Sequence, residues 1–275
     1  MFSIFILYSK DRLDELITTI FCLQEMNHYG DCQKMLVVDG ETNIRPYEFE
    51  VLEVERPNEF YCWAKMWDEA IAVSEFDNIL YIDSDRILPT NYLDLLIEQI
   101  DDNSILFPKR LFSLNEKVST SKVREIRENP LAYSDMLIPD HRITTTGPVR
   151  RKNPISGCTA LTRSAFERSG GLDYLFEGWG CPDLDYFHKL ESMDFEFKEI
   201  DCTELHLKHD YADGVLTFRL MNLWNGIKYC RKWGVPIHPE FLMVADEIGA
   251  NVDFAEESTL REFIAGEGKS PLKFL

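Results

Sequence analysis

Residues 79–85 read Ile79-Leu80-Tyr81-Ile82-Asp83-Ser84-Asp85, and this stretch decides the fold. Four apolar residues in a row read as a strand buried on both faces, as in a parallel sheet covered by helices. Two carboxylates then end the strand. Side chains alternate along an extended chain, so Asp83 and Asp85 point the same way. Carboxylates that close repel unless a cation or a set of donors neutralises them. Hard oxygen ligands at a strand end suit Mg²⁺ or Mn²⁺, ions that also bind diphosphates. Taken alone, the pair has a second reading, an acidic turn capping the next helix.

Working toward the N-terminus, strand-like and helix-like patterns alternate. Phe2–Tyr8 is an apolar strand, too short for a signal or membrane segment. Apolar residues at 13, 16, 17, 20 and 23 give 11–26 helical spacing. Residues 34–38 form a second strand ending at Asp39-Gly40, and 50–54 a third. Asn58 caps a helix whose Phe60, Trp63, Ala64, Trp67, Ala70 and Ile71 line one face. A further helix covers about 91–99. The alternation predicts an α/β fold: one Rossmann-like domain with a mostly parallel mixed sheet flanked by helices. Ligands of such sheets bind outside the carboxyl ends of the strands. Asp11, Asp39, Asp83 and Asp85 all fall at such ends.

Toward the C-terminus, Gly170-Gly171-Leu172-Asp173 leads through an aromatic loop to Gly178-Trp179-Gly180-Cys181-Pro182-Asp183-Leu184-Asp185. Proline suits a first helical turn, so a helix starts at Pro182 and Asp183 sits at its N-terminus. The helix dipole favours a negative side chain there, and an ionised carboxylate can act as a general base. The plainer reading is that Asp183 caps its own helix. Trp179, between two glycines, is a surface on which a sugar ring could stack or a core residue. A strand over 195–200 precedes Glu204-Leu205-His206-Leu207-Lys208-His209. Imidazole is a good ligand for Mn²⁺ or Zn²⁺, although a lone histidine is more often structural.

The chain has 275 residues, with 29 Lys plus Arg against 48 Asp plus Glu, a formal charge of −19. That charge argues against a nucleic-acid partner, which requires a basic face. Residues 240–267 hold eight acidic residues and one basic one, and read as a solvated tail. Residues 112–153 read as a long polar excursion over the site. Within it, 141–155 carries four basic residues and no acidic one, among them Arg150 and Arg151. In so acidic a chain this reads as a loop that touches a phosphorylated ligand, or as a solvated loop. Seven scattered cysteines without a paired motif read as free thiols of a reducing compartment, hence a cytoplasmic protein. The amphipathic stretch 215–233 either packs on the domain or rests on the inner face of a membrane.

In their order, these motifs resemble a nucleotide-sugar glycosyltransferase of the GT-A fold. The first half resembles the family 2 type through FSIFILYSKDR, MLVVDG and ILYIDSD. NPISGCTALTRSAFERSGGLDYLFEGWGCPDLDYFHKL resembles the signature shared by β-1,4-galactosyltransferases and bacterial chondroitin-type polymerases. The resemblance covers about 2–100 and 153–210. It implies a GT-A domain over 1–214, with a nucleotide-binding half (about 1–100) and an acceptor and metal half (about 101–214), followed by a helical extension, 215–275. It further implies that Asp11, Asp39 and Asp83 contact the nucleotide; the placing of Arg150 and Arg151 on the donor is read from the charge of the 141–153 loop alone. Asp85 and His209 would hold Mn²⁺ or Mg²⁺, with His206 as a second imidazole ligand. Asp183 would be the base of an inverting transfer, and Trp179 and Asp185 would lie on the acceptor side. The partners implied are a UDP-sugar and a saccharide or lipid-linked saccharide acceptor. Pro182 stands where the signature carries a glutamate that holds the acceptor sugar, so it is on the acceptor side that this sequence departs from the signature.

Three other classes fit the sequence less well. A sugar-1-phosphate nucleotidyltransferase needs a Gly-rich loop after the first strand, and Leu7-Tyr8-Ser9-Lys10-Asp11-Arg12 has no glycine. A silent nucleotide-sugar or glycan-binding module would have lost base or metal ligands, whereas Asp85, Asp183 and His209 are all present. A dehalogenase-type phosphatase is disfavoured because three strands precede the acidic pair and Arg86-Ile87-Leu88 follow it.

Overall fold

The computed structural model describes residues 1–8, 12–55, 61–139, 157–178, 180–209 and 214–236, with side chains in the last segment from Met221 on. The expectations for Asp11, Trp179, Arg150, Arg151, the basic loop, the Asn58 cap and the acidic tail lie outside the described residues. The chain divides into two compact units. The first comprises Met1–Glu55, Lys65–Gly171 and Tyr186–Asp210; the second comprises Arg56–Ala64, Leu172–Asp185 and Tyr211–Leu275.

A nine-stranded mixed sheet fills the first unit. Its strands are β1 (Phe2–Tyr8), β2 (Gln33–Asp39), β3 (Glu50–Val54), β4 (Asn78–Asp83), β5 (Arg86–Ile87), β6 (Ser104–Leu114), β7 (Leu137–Pro139), β8 (Cys158–Thr162) and β9 (Glu196–His206). Their order is β3-β2-β1-β4-β8-β6-β9-β5, with β7 added to β6. Strands β3, β2, β1 and β4 pair in parallel, as do β6 and β9. Strand β8 is wedged between the two sets, antiparallel to β4 and β6. Every residue of β1 is buried, as is each from Ile79 to Ile82 on β4, which explains why both lack an alternating pattern.

The described α-helices are α1 (Leu13–Leu23), α2 (Trp63–Ala72), α3 (Tyr92–Ile97), α4 (Thr120–Glu128), α5 (Arg163–Ser169), α6 (Pro182–Ser192) and α7 (Gly214–Trp233), with short 3-10 turns at Tyr29–Asp31 and Pro130–Met136. Part of the core is aromatic. Trp67 is fully buried, with ring centroids 4.7 Å from Tyr81, 5.4 Å from Phe5, 5.8 Å from Phe166 and 6.3 Å from Tyr186. Helix α4 falls inside what the sequence reads as a polar excursion. Ser119 caps it by accepting from the Lys122 N–H, and its two apolar residues, Val123 and Ile126, join Cys22, Ile87, Leu205 and Leu207 in a small core.

In the second unit, the loop after Gly171 is fastened to α7. Asn225 Nδ2 donates to the Glu177 carbonyl, and Lys228 Nζ to that of Leu175, both at 2.8 Å. The apolar side chains Leu223, Trp224, Ile227 and Cys230 of α7 are buried. No helix among the described residues is long and apolar enough to cross a membrane. The seven cysteines are all free and buried.

Candidate active site

The site is built at the carboxyl end of β4. Parallel pairing sets Leu7 of β1 opposite Asp83, and Tyr8 opposite Val38, so Asp39 and Asp83 end the two strands that flank β1. Three bonds from separate parts of the chain fix the turn after β4. The Asp83 N–H donates to the Gly157 carbonyl at 2.7 Å, Thr19 Oγ1 to the Ser84 carbonyl at 2.9 Å, and the Leu207 N–H to the Asp85 carbonyl at 2.9 Å. The turn therefore delivers Asp85 into the interior, where it is 1% exposed.

Strand β9 brings the second set of groups. It extends to His206, beyond the 195–200 expected from sequence. His206 lies opposite Arg86 of β5 on one side and Ser113 of β6 on the other. Its Nδ1 is 3.3 Å from Ser113 Oγ, a contact that can hold the ring and leave Nε2 as the ligating nitrogen. The Nε2 atoms of His206 and His209 are 3.1 Å apart, and they lie 3.6 Å and 3.2 Å from Asp85 Oδ2. One ligand atom from each of Asp85, His206 and His209 lies within 4.8 Å of the others.

This donor set fits a divalent cation. Ligands about 2.1 Å from one ion at right angles stand about 3.0 Å apart, close to the imidazole spacing. One carboxylate with two imidazoles is a mixed set that Mn²⁺ accepts more readily than Mg²⁺, which prefers oxygen alone.

Two arginines complete the cluster, and motif reading alone does not assign either to it. Arg12 Nη1 donates to Asp85 Oδ2. Arg86 Nε lies 3.0 Å from Asp85 Oδ1 and 3.8 Å from Asp83 Oδ2, and its Nη1 is 3.6 Å from Glu204 Oε1. Asp83 and Asp85 are thus bridged by a guanidinium, not left facing each other. Asp83 also accepts from the Tyr81 hydroxyl. Burial opposes ionisation of Asp85, yet Arg86 and the two imidazoles outweigh it and hold its carboxyl well below the usual carboxylate range. A basic residue directly after an acidic turn is the one sequence signal that points to Arg86.

The other expected residues lie in the second unit. Asp183 is half-buried in the first turn of α6, as the Pro182 signal predicts. Just before it, Cys181 has a φ of 69° and its carbonyl accepts from the Asp185 N–H at 2.8 Å. Asp185 itself is fully buried. Lys232 Nζ and Trp233 Nε1 each lie 2.8 Å from one of its oxygens, so its carboxylate ties α6 to the end of α7.

Residues 143–211 match the family described as the N-terminal domain of galactosyltransferase. No curated protein sequence matches the chain. Among solved structures, the chain is similar to GalNAc-T7 in complex with UDP, GalNAc and Mn²⁺ (TM-score 0.60, 11% identity, 96% of this chain and 57% of that one). It is similar to the mannosyltransferase PcManGT from Pyrobaculum calidifontis in complex with GDP-Man and Mn²⁺ (TM-score 0.51, 14% identity, 98% and 76%). It is also similar to S. aureus TarS in complex with UDP-GlcNAc (TM-score 0.53, 10% identity, 89% and 70%). At such identities the likeness is one of fold, and the chain has the GT-A fold of nucleotide-sugar glycosyltransferases. It spans 57% to 64% of the length of the first solved structures it matches.

Proposed function

We propose that this protein is an inverting, metal-dependent glycosyltransferase. It transfers a hexose or N-acetylhexosamine from a UDP-sugar to a hydroxyl of a saccharide or lipid-linked saccharide. One observation carries the reading: Asp85, His206 and His209 converge at the carboxyl end of the central strands of a GT-A sheet. Two of the similar structures, GalNAc-T7 and TarS, hold UDP or a UDP-sugar, and GalNAc-T7 and PcManGT hold Mn²⁺. This supports UDP and Mn²⁺ here.

The residues divide the work. Asp11, Asp39 and Asp83 contact the nucleoside from the ends of β1, β2 and β4, and Arg150 and Arg151 add positive charge at the donor. Asp85, His206 and His209 would hold Mn²⁺, or Mg²⁺ more weakly. A cation bound there supplies neutralising charge for the departing diphosphate. Asp183 takes the proton from the acceptor hydroxyl as that oxygen attacks the anomeric carbon on the face opposite the diphosphate. Trp179 offers a ring on which the acceptor sugar stacks. The buried free thiols fit a cytoplasmic setting.

The test is a donor screen for UDP release with Mn²⁺, repeated with Asp183→Asn and with chelator, and with the product anomer read by NMR. Expected are an inverted anomer, loss of turnover with chelator, and a drop in kcat of about 10²–10⁴-fold in Asp183→Asn with Mn²⁺ uptake intact. Undiminished turnover in Asp183→Asn, or a retained anomer, overturns the base assignment. Full activity with chelator overturns the metal assignment.

A further inference from the structure

Arg12 and Asp85 are 73 positions apart in the chain and joined by one buried bond. The acceptor of that bond is Oδ2, the same oxygen that both imidazole Nε2 atoms face. We propose that Arg12 is a resident stand-in for the cation: it holds Asp85 Oδ2 while the triad is empty, yields that oxygen to the metal, and then turns its guanidinium to the incoming diphosphate. The inference rests on the metal site proposed above.

The two arginines differ in what holds them. Arg86 approaches the other oxygen, Oδ1, and sits on β5, whose pairing with β9 fixes its backbone. It also lies near Asp83 and Glu204. Glu204 is 1% exposed and shares the face of β9 that carries His206, so Arg86 is the permanent counter-ion of that buried carboxylate as well. Arg12 belongs to no strand pairing. It is the residue before α1, and its carbonyl accepts from the Leu16 N–H at 2.9 Å, which anchors its backbone at the helix start.

A divalent ion bound to Oδ2 and the two imidazoles would stand within about 4 Å of the Arg12 guanidinium, where like charges repel strongly in a buried site. The guanidinium therefore leaves Oδ2 as the ion arrives. Its planar fork of N–H groups matches two phosphate oxygens at once. Arg12 thereby couples the two ligands: the cation frees the fork, and the diphosphate employs it.

The experiment follows Mn²⁺ uptake by loss of the free-ion EPR signal, and UDP binding by calorimetry with and without Mn²⁺. Wild type is compared with Arg12→Gln and Arg12→Lys, and Asp85→Asn serves as the control for the site. Arg12→Gln is expected to bind Mn²⁺ about tenfold more tightly and to lose most of the Mn²⁺-dependent gain in UDP affinity, a coupling of ordinary size. Arg12→Lys, which keeps a cation without the fork, is expected to bind Mn²⁺ like wild type and UDP more weakly. Unchanged or weaker Mn²⁺ binding in Arg12→Gln, or full synergy with UDP, overturns the proposal.

Wild type gives an independent reading that needs no substitution. Phenylglyoxal modification, mapped by mass spectrometry, is expected to be low at Arg12 without metal, higher with Mn²⁺, and low again with Mn²⁺ and UDP. Reactivity that ignores Mn²⁺ overturns it. A wild type that takes up no Mn²⁺ overturns the metal site itself. Uptake abolished by Asp85→Asn and indifferent to Arg12 overturns only the exchange.

Discussion

Replacing Gly180 by alanine tests how firmly the loop before α6 is seated on α7. Gly180 has a φ of +95°, and a Cβ there would lie 2.3 Å from Asn222 Oδ1, 2.9 Å from its Cγ and 3.0 Å from its Cα. The amide can swing away, but the Cα can retreat only if the helix shifts. The positive φ costs an L-residue about 1–2 kcal/mol. Overpacking against backbone adds about 1–3 kcal/mol. A loss of about 3 kcal/mol is therefore expected. Gly234, at φ +63°, isolates the first contribution, because no atom lies within 4 Å of its added Cβ. Gly234→Ala is expected to lose only about 1 kcal/mol. The difference of about 2 kcal/mol is roughly thirtyfold in the unfolding equilibrium. Urea unfolding followed by tryptophan fluorescence measures it as a shift in midpoint at constant slope. Equal losses in the two variants would refute the close approach of Gly180 to α7.

Three further outcomes follow from the first unit. Trp67→Ala removes the centre of the aromatic cluster and is expected to cost about 3–5 kcal/mol, with Trp67→Phe costing less, by thermal unfolding. Asp85→Asn leaves two buried guanidinium groups facing a neutral amide, so about 3–5 kcal/mol of stability should be lost together with Mn²⁺ uptake. The pH dependence has a definite sign. The Asp85 carboxyl sits well below its ordinary 3.8 in the folded protein, so on acidification the unfolded chain takes up this proton first. Its contribution is complete above about pH 5 and fades as pH falls toward the folded value. Wild type and Asp85→Asn should therefore differ by a constant margin from pH 7 to 5 and converge below about pH 4, as measured by urea midpoints across pH.

The parts of this fold legible in the sequence are those whose signal is local. Strands β1 and β4 announce themselves as unbroken apolar runs because both faces are covered, and Pro182 marks the start of α6 correctly. Helix α4 gives no such signal because it buries chiefly Val123 and Ile126, too few apolar positions to mark a period. Strand β8 is not legible as a member of the sheet, since it runs against both of its neighbours and no local pattern carries strand direction. In the site, Asp85 and the two histidines are readable by residue type, but the extension of β9 to His206 is fixed by its pairing with Arg86 and Ser113. Arg12 was invisible as a member because its partner is distant in the chain.

The wedged position of β8 has a consequence for how the chain is made. Strand β4 emerges from synthesis early and finds β1 on one side at once, but its other side waits for β8, which follows only after α3, β6, α4 and β7. Until then Ile79–Ile82 present an unpaired, apolar margin, the kind of surface on which nascent chains join one another. Strand β6 must likewise wait for β9. Late pairings of this kind slow the final closure. Truncation before β8 is therefore expected to yield a sticky half-sheet, while a chain that reaches β9 can seal both margins and, by the same pairing, bring His206 beside Asp85. The last strand to close the sheet is also the one that completes the triad, so fully folded and cation-competent are reached together.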